Sequence, residues 1–269
     1  MSQTHKQSQS IITLTTDLGT QDYYVGAIKA VILGISPQAK LVDISHHISP
    51  YDVMAGAWVI RNSAFLFPEN TVHLVAVDSG AKRDQEPIVL KMQHQYFVGP
   101  DNGLFSLLAE SHEFEAYALT NSAYWHHKPA SDTFPARDIF ASVAAHLQNG
   151  VAISEFGPQQ HELVSYRWAL PITHSDGLQG WILHIDRFGN LITNIPEDSL
   201  DELSSQKKVK IYVGNTILHS IERTYSDLPE GEPVAYVGSS GMLEIAINNG
   251  NAAELLGISK GASISVIWQ

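Results

Sequence analysis

The chain has 269 residues, 44% hydrophobic and 16% charged, a balance that supports a packed core and confines expected disorder to a polar tail over residues 1–10. A formal net charge of -12, with no basic run longer than Lys207-Lys208, argues against a nucleic-acid partner. The chain has no cysteine, no basic-then-apolar leader and no apolar run near the ~20 residues of a membrane span, so a cytoplasmic protein with no membrane partner is expected.

Residues 11–158 read as alternating strands and helices. Ile11-Ile12-Thr13-Leu14-Thr15 is a β-branched run that suits a buried strand. A polar turn follows, and Tyr23–Leu33 reads as a helix with Asp22 as N-cap and Gly34 and Pro37 as stop signals. Leu41–Ile44 is a second strand, Pro50 opens a second helix, and Thr71–Val77 is a third strand. Ile88–Met92 and Tyr96–Gly99 form an expected hairpin; Leu104–Glu110 and Arg137–Leu147 are expected helices. The alternation predicts an α/β domain with a mixed, largely parallel sheet and flanking helices. Residues 159–176, with Pro171, read as a linker. Over 177–269 seven short runs separated by Gly, Asn, Asp and Pro predict a small β-barrel or sandwich.

Ligands in open α/β sheets bind beyond the carboxyl ends of the strands. Asp17 and Asp22 follow the first strand, Asp43 ends the second with His46 and His47 behind it, and Asp78 ends the third. One such Asp alone is as well explained by capping or turn duties; three successive ones point to a shared ligand site. The exclusions are as useful. No phosphate-binding glycine loop follows the first strand, no G-x-S-x-G elbow is present, and the 13 histidines show no chelating spacing, so no metal and no cofactor are expected.

Several segments, taken together, resemble one family. They are Ile12–Asp22 with Tyr24–Lys29, Val42–His46 with Ile48–Asp52, Val77–Gly80, Gly99–Leu104, Thr133-Phe134 with Arg137–Ala141, Asp186–Asn194 and Gly250–Ala253. This set is similar to the S-adenosylmethionine (SAM) hydroxide adenosyltransferase, chlorinase and fluorinase family over nearly the whole chain. The resemblance implies an N-terminal α/β domain, a C-terminal β-barrel, and a homotrimer with ligand sites between neighbouring subunits. It implies substitution at C5′ of SAM, which with water gives adenosine and L-methionine. It also implies roles. Asp17 would hold the ribose hydroxyls and Tyr51 would pack on the sugar, with Phe134 among the substrate contacts. Asp22 and Asp186 would face the cationic methionine end, with Ser239 and Ser240 at its carboxylate. Phe188, Asn190 and backbone near Asn249 would hold adenine.

The chain departs from the family at the groups that prepare the water, an Asp-Arg-His set. Asp78 matches the Asp. Gln85 stands at the Arg position, with Arg83 two residues away, and Pro135 stands at the His position. Three readings follow: hydrolysis by Asp78 with a relocated partner such as Arg83 or His127, substitution by a halide, or binding of an adenosyl ligand without turnover.

Overall fold

A computed structural model describes residues 10–78, 85–165, 170–204 and 209–268. The chain divides into two compact units, residues 1–166 and 167–269.

The first unit is built on a seven-stranded sheet. Its strands are β1 (Ile11–Thr16), β2 (Lys40–Ser45), β3 (Val72–Ala76), β4 (Pro87–Met92), β5 (Gln95–Pro100), β6 (Glu115–Ala118) and β7 (Gln159–Gln160), in the order β2-β1-β3-β5-β4-β6-β7. The first four in that order run parallel and the rest antiparallel. This is the mixed, largely parallel sheet the alternation predicts. Gln93 and His94, both at positive φ, make the two-residue turn of the β4–β5 hairpin.

Both faces of this sheet are covered, so its central strands are apolar in succession rather than alternating. Leu14, Leu74 and Val98 face a core closed by α1 (Tyr24–Ile35) and α4 (Ala141–Gln148). Val75, Val77, Ile88 and Leu90 face another, shared with α2 (Val53–Ser63) and residues beside the short α3 (Ser106–Ala109). Across the middle runs a buried polar chain. Gln95 spends its amide N–H on the Phe67 carbonyl (2.7 Å), so its Oε1 accepts from His73 Nε2 (3.0 Å). His73 Nδ1 then accepts from the Thr13 hydroxyl at 2.7 Å. Burial pushes the ring's pKa down to about 4, against the smaller upward pull of Gln95.

Several local expectations change. Helix α1 begins at Tyr24 with Tyr23 as N-cap and no side-chain cap bond, so Asp22 does not cap it. Helix α2 is opened not by Pro50 but by Asp52, whose Oδ1 accepts from Ala55 N at 3.0 Å. The helix expected over Arg137–Leu147 starts as a wide π turn at Ala136–Phe140 before α4. The stretch read as a linker contributes β7 to the first sheet and β8 (Ile172–His174) to the second.

The second unit holds β8 to β15 in one antiparallel sheet: β9 (Gly177–Ile185), β10 (Leu191–Pro196), β11 (Val209–Val213), β12 (Thr216–Leu218), β13 (Pro233–Val237), β14 (Met242–Ile247) and β15 (Ser263–Trp268). The order β12-β11-β15-β9-β10-β14-β13 curls until its two ends approach, a nearly closed barrel. Leu191, Ile211, Leu243, Ile245 and Val266 fill its interior. Two helices not foreseen in the sequence, α5 (Glu197–Ser204) and α6 (Ala252–Leu256), complete it. Among the described residues no helix is long and apolar enough to cross a membrane.

Candidate functional site

In the first unit the carboxyl ends of the adjacent parallel strands β1 and β3 bring Asp17 and Asp78 together. Asp17 Oδ2 accepts two backbone N–H groups, from Tyr51 at 2.9 Å and from Asp78 at 3.1 Å. Both donors have positive φ, 67° and 48°, a conformation that costs a residue with a side chain about 1 kcal/mol or more. That strain aims their amides at one oxygen. Asn102 Nδ2, donating to the Val77 carbonyl at 3.1 Å, steadies the turn from behind. Asp17 Oδ1 has no such donor among the described residues, and Tyr51 stands out with 74% of its surface exposed.

The Asp78 side chain is buried, and its Oδ2 lies 3.4 Å from Gln85 Nε2. The other end of that amide, Gln85 Oε1, is buried with no hydrogen-bond partner among the described residues. Asp22 is exposed at the α1 start. Phe134 is not at the surface: it is buried in the α1–α4 core, edge-on to Tyr24 (5.2 Å) and under the Arg137 guanidinium. Arg83 lies outside the described residues.

Asp43 does not join Asp17 and Asp78. Lys29 Nζ on α1 sits 2.6 Å from its Oδ2, and His46 Nε2 lies 3.1 Å from its Oδ1. Burial works against the charge, but these two neighbours outweigh it and hold the Asp43 pKa below its usual value. His46 is itself buried and bonded to the Thr16 hydroxyl at 2.9 Å. The shared three-carboxylate site is thus a two-carboxylate one. Among the described residues no group of three or more His, Asp or Glu side chains could hold a metal ion.

In the second unit a cavity of about 830 Å³ is lined by Asp186, Phe188, Asn190, Ser239 and Asn249, all named from the sequence. Asp186 organises the loop. Its Oδ1 accepts from Phe188 N and Asn190 N, both at 2.9 Å, and its Oδ2 from Asn190 Nδ2 at 3.0 Å. This lifts Phe188 to 76% exposure. Gly189, at φ +86°, fits because any Cβ there would meet the Asn251 amide at 1.9 Å. Ser240 is beside the cavity, its hydroxyl 3.4 Å from Glu244 Oε1. Asn249, at positive φ, donates to Glu230 at 2.9 Å.

Sequence reasoning missed other lining groups: Tyr236, Glu244 and the turn at Thr224. The Thr224–Asp227 pair forms a capping box, a pattern readable as T-x-x-D. Glu244 had a signal too, as the one acidic residue in the apolar run Met242–Ile247. It is 9% exposed, and its Oε2 accepts from the Tyr236 hydroxyl at 2.8 Å. Burial raises the Glu244 pKa, helped by the Asp186 charge and opposed by the Tyr236 and Ser240 hydroxyls. Burial and Glu244 push the Tyr236 phenol up.

Residues 12–157 match the SAM hydroxide adenosyltransferase N-terminal domain and residues 180–265 its C-terminal domain. A (R)-S-adenosyl-L-methionine hydrolase from Thermus thermophilus is 33% identical, covering 94% of this chain and 97% of that protein. One from Methanocaldococcus jannaschii is also 33% identical, over 96% of each. A fluorinase from Actinoplanes sp. is 28% identical, over 95% and 97%. A solved structure of an uncharacterized conserved protein from Thermotoga maritima superposes with a TM-score of 0.88 at 35% identity, covering 95% of this chain and 99% of that one. Matched in both domains and along nearly all of its length, this chain belongs to the SAM hydroxide adenosyltransferase family.

Proposed function

We propose that the chain hydrolyses SAM at C5′ to adenosine and L-methionine. The observation that carries the reading is the Asp17 carboxylate. Two backbone donors fix Oδ2, which leaves Oδ1 to accept from the ribose hydroxyls. The sugar is then held while water attacks. The O–C5′ bond forms as C5′–S breaks, both electrons of that bond leave with sulfur as the neutral thioether of methionine, and the water gives up one proton. A sulfonium is a ready leaving group, so the reaction needs no general acid and no cofactor, only an oriented, partly desolvated nucleophile.

Asp78 is the acceptor for that proton in this reading. Gln85 supports it: its Nε2 reaches Asp78 and its unpartnered Oε1 can accept a hydrogen bond from the water, which would help to orient the nucleophile. Tyr51 would pack on the ribose, Asp22 would face the methionine end, and Phe188 and Asn190 would hold adenine. We further infer a cytoplasmic homotrimer in which the C-terminal unit of a neighbouring copy completes each site. The exposed Tyr51 of the first unit and Phe188 of the second fit that arrangement, since aromatic side chains are enriched at protein interfaces.

The test is chromatographic. Purified protein incubated with SAM, with and without chloride, is expected to give adenosine and methionine in both cases. A 5′-chloro product would overturn the choice of water, and absence of any product would overturn hydrolysis. Light scattering on the eluting protein should report three chains; a monomer would sink the shared site.

A further inference from the structure

Resting on the ribose role of Asp17, we propose that His46 is a positioning residue for that anchor and acts on it through Thr16. The His46 ring is buried and bridges two side chains. Its Nδ1 lies 2.9 Å from the hydroxyl of Thr16, the last residue of β1 and the one before Asp17. Its Nε2 lies 3.1 Å from Asp43 Oδ1. An ionised carboxylate can only accept, so it draws the ring proton to Nε2 and leaves Nδ1 as an acceptor. Thr16 Oγ1 accepts from Leu18 N at 3.3 Å, which leaves the one hydroxyl proton for Nδ1. Donation therefore runs one way, from Leu18 N to Thr16, from Thr16 to the ring and from the ring toward Asp43, whose other oxygen faces Lys29 Nζ at 2.6 Å. Turning the ring over would put carbon atoms where the hydroxyl and the carboxylate stand, so the chain fixes its orientation.

His46 also holds the turn by its main chain. Its carbonyl accepts from Gly19 N at 2.7 Å, so ring and carbonyl grip the backbone on either side of Asp17. Further along the same loop Tyr51 N donates to Asp17 Oδ2. The segment between β2 and α2 is thus fastened to the end of β1 before, after and at the Asp17 side chain. A binding group has to be held to within about 0.5 Å by locked neighbours. Loss of the ring bond frees Thr16 and the turn it begins, and Oδ1 then loses its aim at the ribose hydroxyls.

The experiment compares adenosine with 2′,3′-dideoxyadenosine, which lacks both hydroxyls, by calorimetry on the full chain. The parent is expected to prefer adenosine by about tenfold or more, the size of one hydrogen bond to a charged group. His46→Leu keeps bulk and removes both nitrogens; Thr16→Val removes the hydroxyl and leaves the ring. Each is expected to cut the preference to about threefold or less, with dideoxyadenosine affinity held within about twofold. His46→Asn, whose Oδ1 can stand where Nδ1 stood, is expected to regain the preference. Dideoxyadenosine binding also reports an intact fold, and T16V carries the test if H46L does not fold. Equal weakening for both nucleosides would make the bridge merely structural and overturns the proposal. So does a preference unchanged in H46L and T16V, or an H46N chain no better than H46L. A parent chain with no preference overturns the ribose role of Asp17 instead.

Discussion

Asp78 stands over Asp17 through its main chain while its side chain turns away. The Asp78 N–H donates to Asp17 Oδ2 at 3.1 Å, and the Asp78 carboxylate meets Gln85. In the proposed reaction one residue would therefore take part in holding the sugar anchor and in facing the nucleophile, through separate atoms. The two jobs can be separated by substitution.

Asp17→Ala removes the acceptor for two amides. It is expected to lower stability by about 2 kcal/mol, the cost of leaving such donors unmade, and to weaken adenosine binding at least tenfold. Asp17→Asn retains an acceptor for the amides, so its melting temperature should stay near that of the parent while ligand affinity still falls. Scanning calorimetry and titration calorimetry on the two variants check this. An Asp17→Ala chain that binds adenosine as the parent does would remove the ribose role.

Asp78→Asn leaves the backbone donor to Asp17 in place but takes away the proton acceptor. The expected loss is in kcat, about 10²–10⁴-fold, with adenosine affinity little changed. Steady-state kinetics beside equilibrium binding tell the two apart; a loss confined to KM would contradict the assignment.

Gln85→Leu keeps the bulk and removes both ends of the amide. It should lower kcat about 10-fold or more with little change in KM, because a positioned group acts on the attacking water rather than on bound SAM. Unaltered turnover would show that the unpartnered Oε1 has no part in the reaction.

His73 gives a pH prediction with a definite sign. Its folded pKa of about 4 lies below the usual 6.5. Between these values the unfolded chain binds a proton that the folded chain refuses, so stability is full above about pH 6.5 and falls as pH drops toward 4. The total is on the order of 3 kcal/mol. Chemical unfolding across that pH range, with His73→Gln as the non-titrating control, should show a shallower acid slope in the variant.

Gly189→Ala places a methyl where the Asn251 amide already sits, at a φ that side chains disfavour. It should destabilise by about 2 kcal/mol and weaken adenosine binding, because the Phe188 loop must move. Melting curves and ligand titration on the variant read the two effects separately.

What the sequence disclosed and what it hid divide along physical lines. Strand runs such as Ile11–Thr15 and the Asp186–Asn190 turn are local patterns, and both stand where the pattern puts them. The convergence of Asp17 and Asp78 follows from parallel strands ending at one edge, so it too could be reasoned from order. Asp43 could not be separated from them, because its diversion depends on Lys29, fourteen residues earlier, reaching down from α1. Phe134 is a substrate contact only through the resemblance, and its burial edge-on to Tyr24 is a packing fact that no local pattern announces. Glu244 went unnoticed because a lone acid in an apolar strand has no meaning until its face is known.

The interlock between Gly189 and Asn251 has a consequence for binding thermodynamics. Asn251 caps α6 by accepting from Glu254 N at 3.0 Å, and Ala253 N donates to the Gly189 carbonyl at 3.0 Å. The tip that displays Phe188 is thereby riveted to a helix start before any ligand arrives. If adenine stacks there as proposed, an aromatic platform of this kind would surrender little motional freedom, so more of the stacking energy would be kept as affinity.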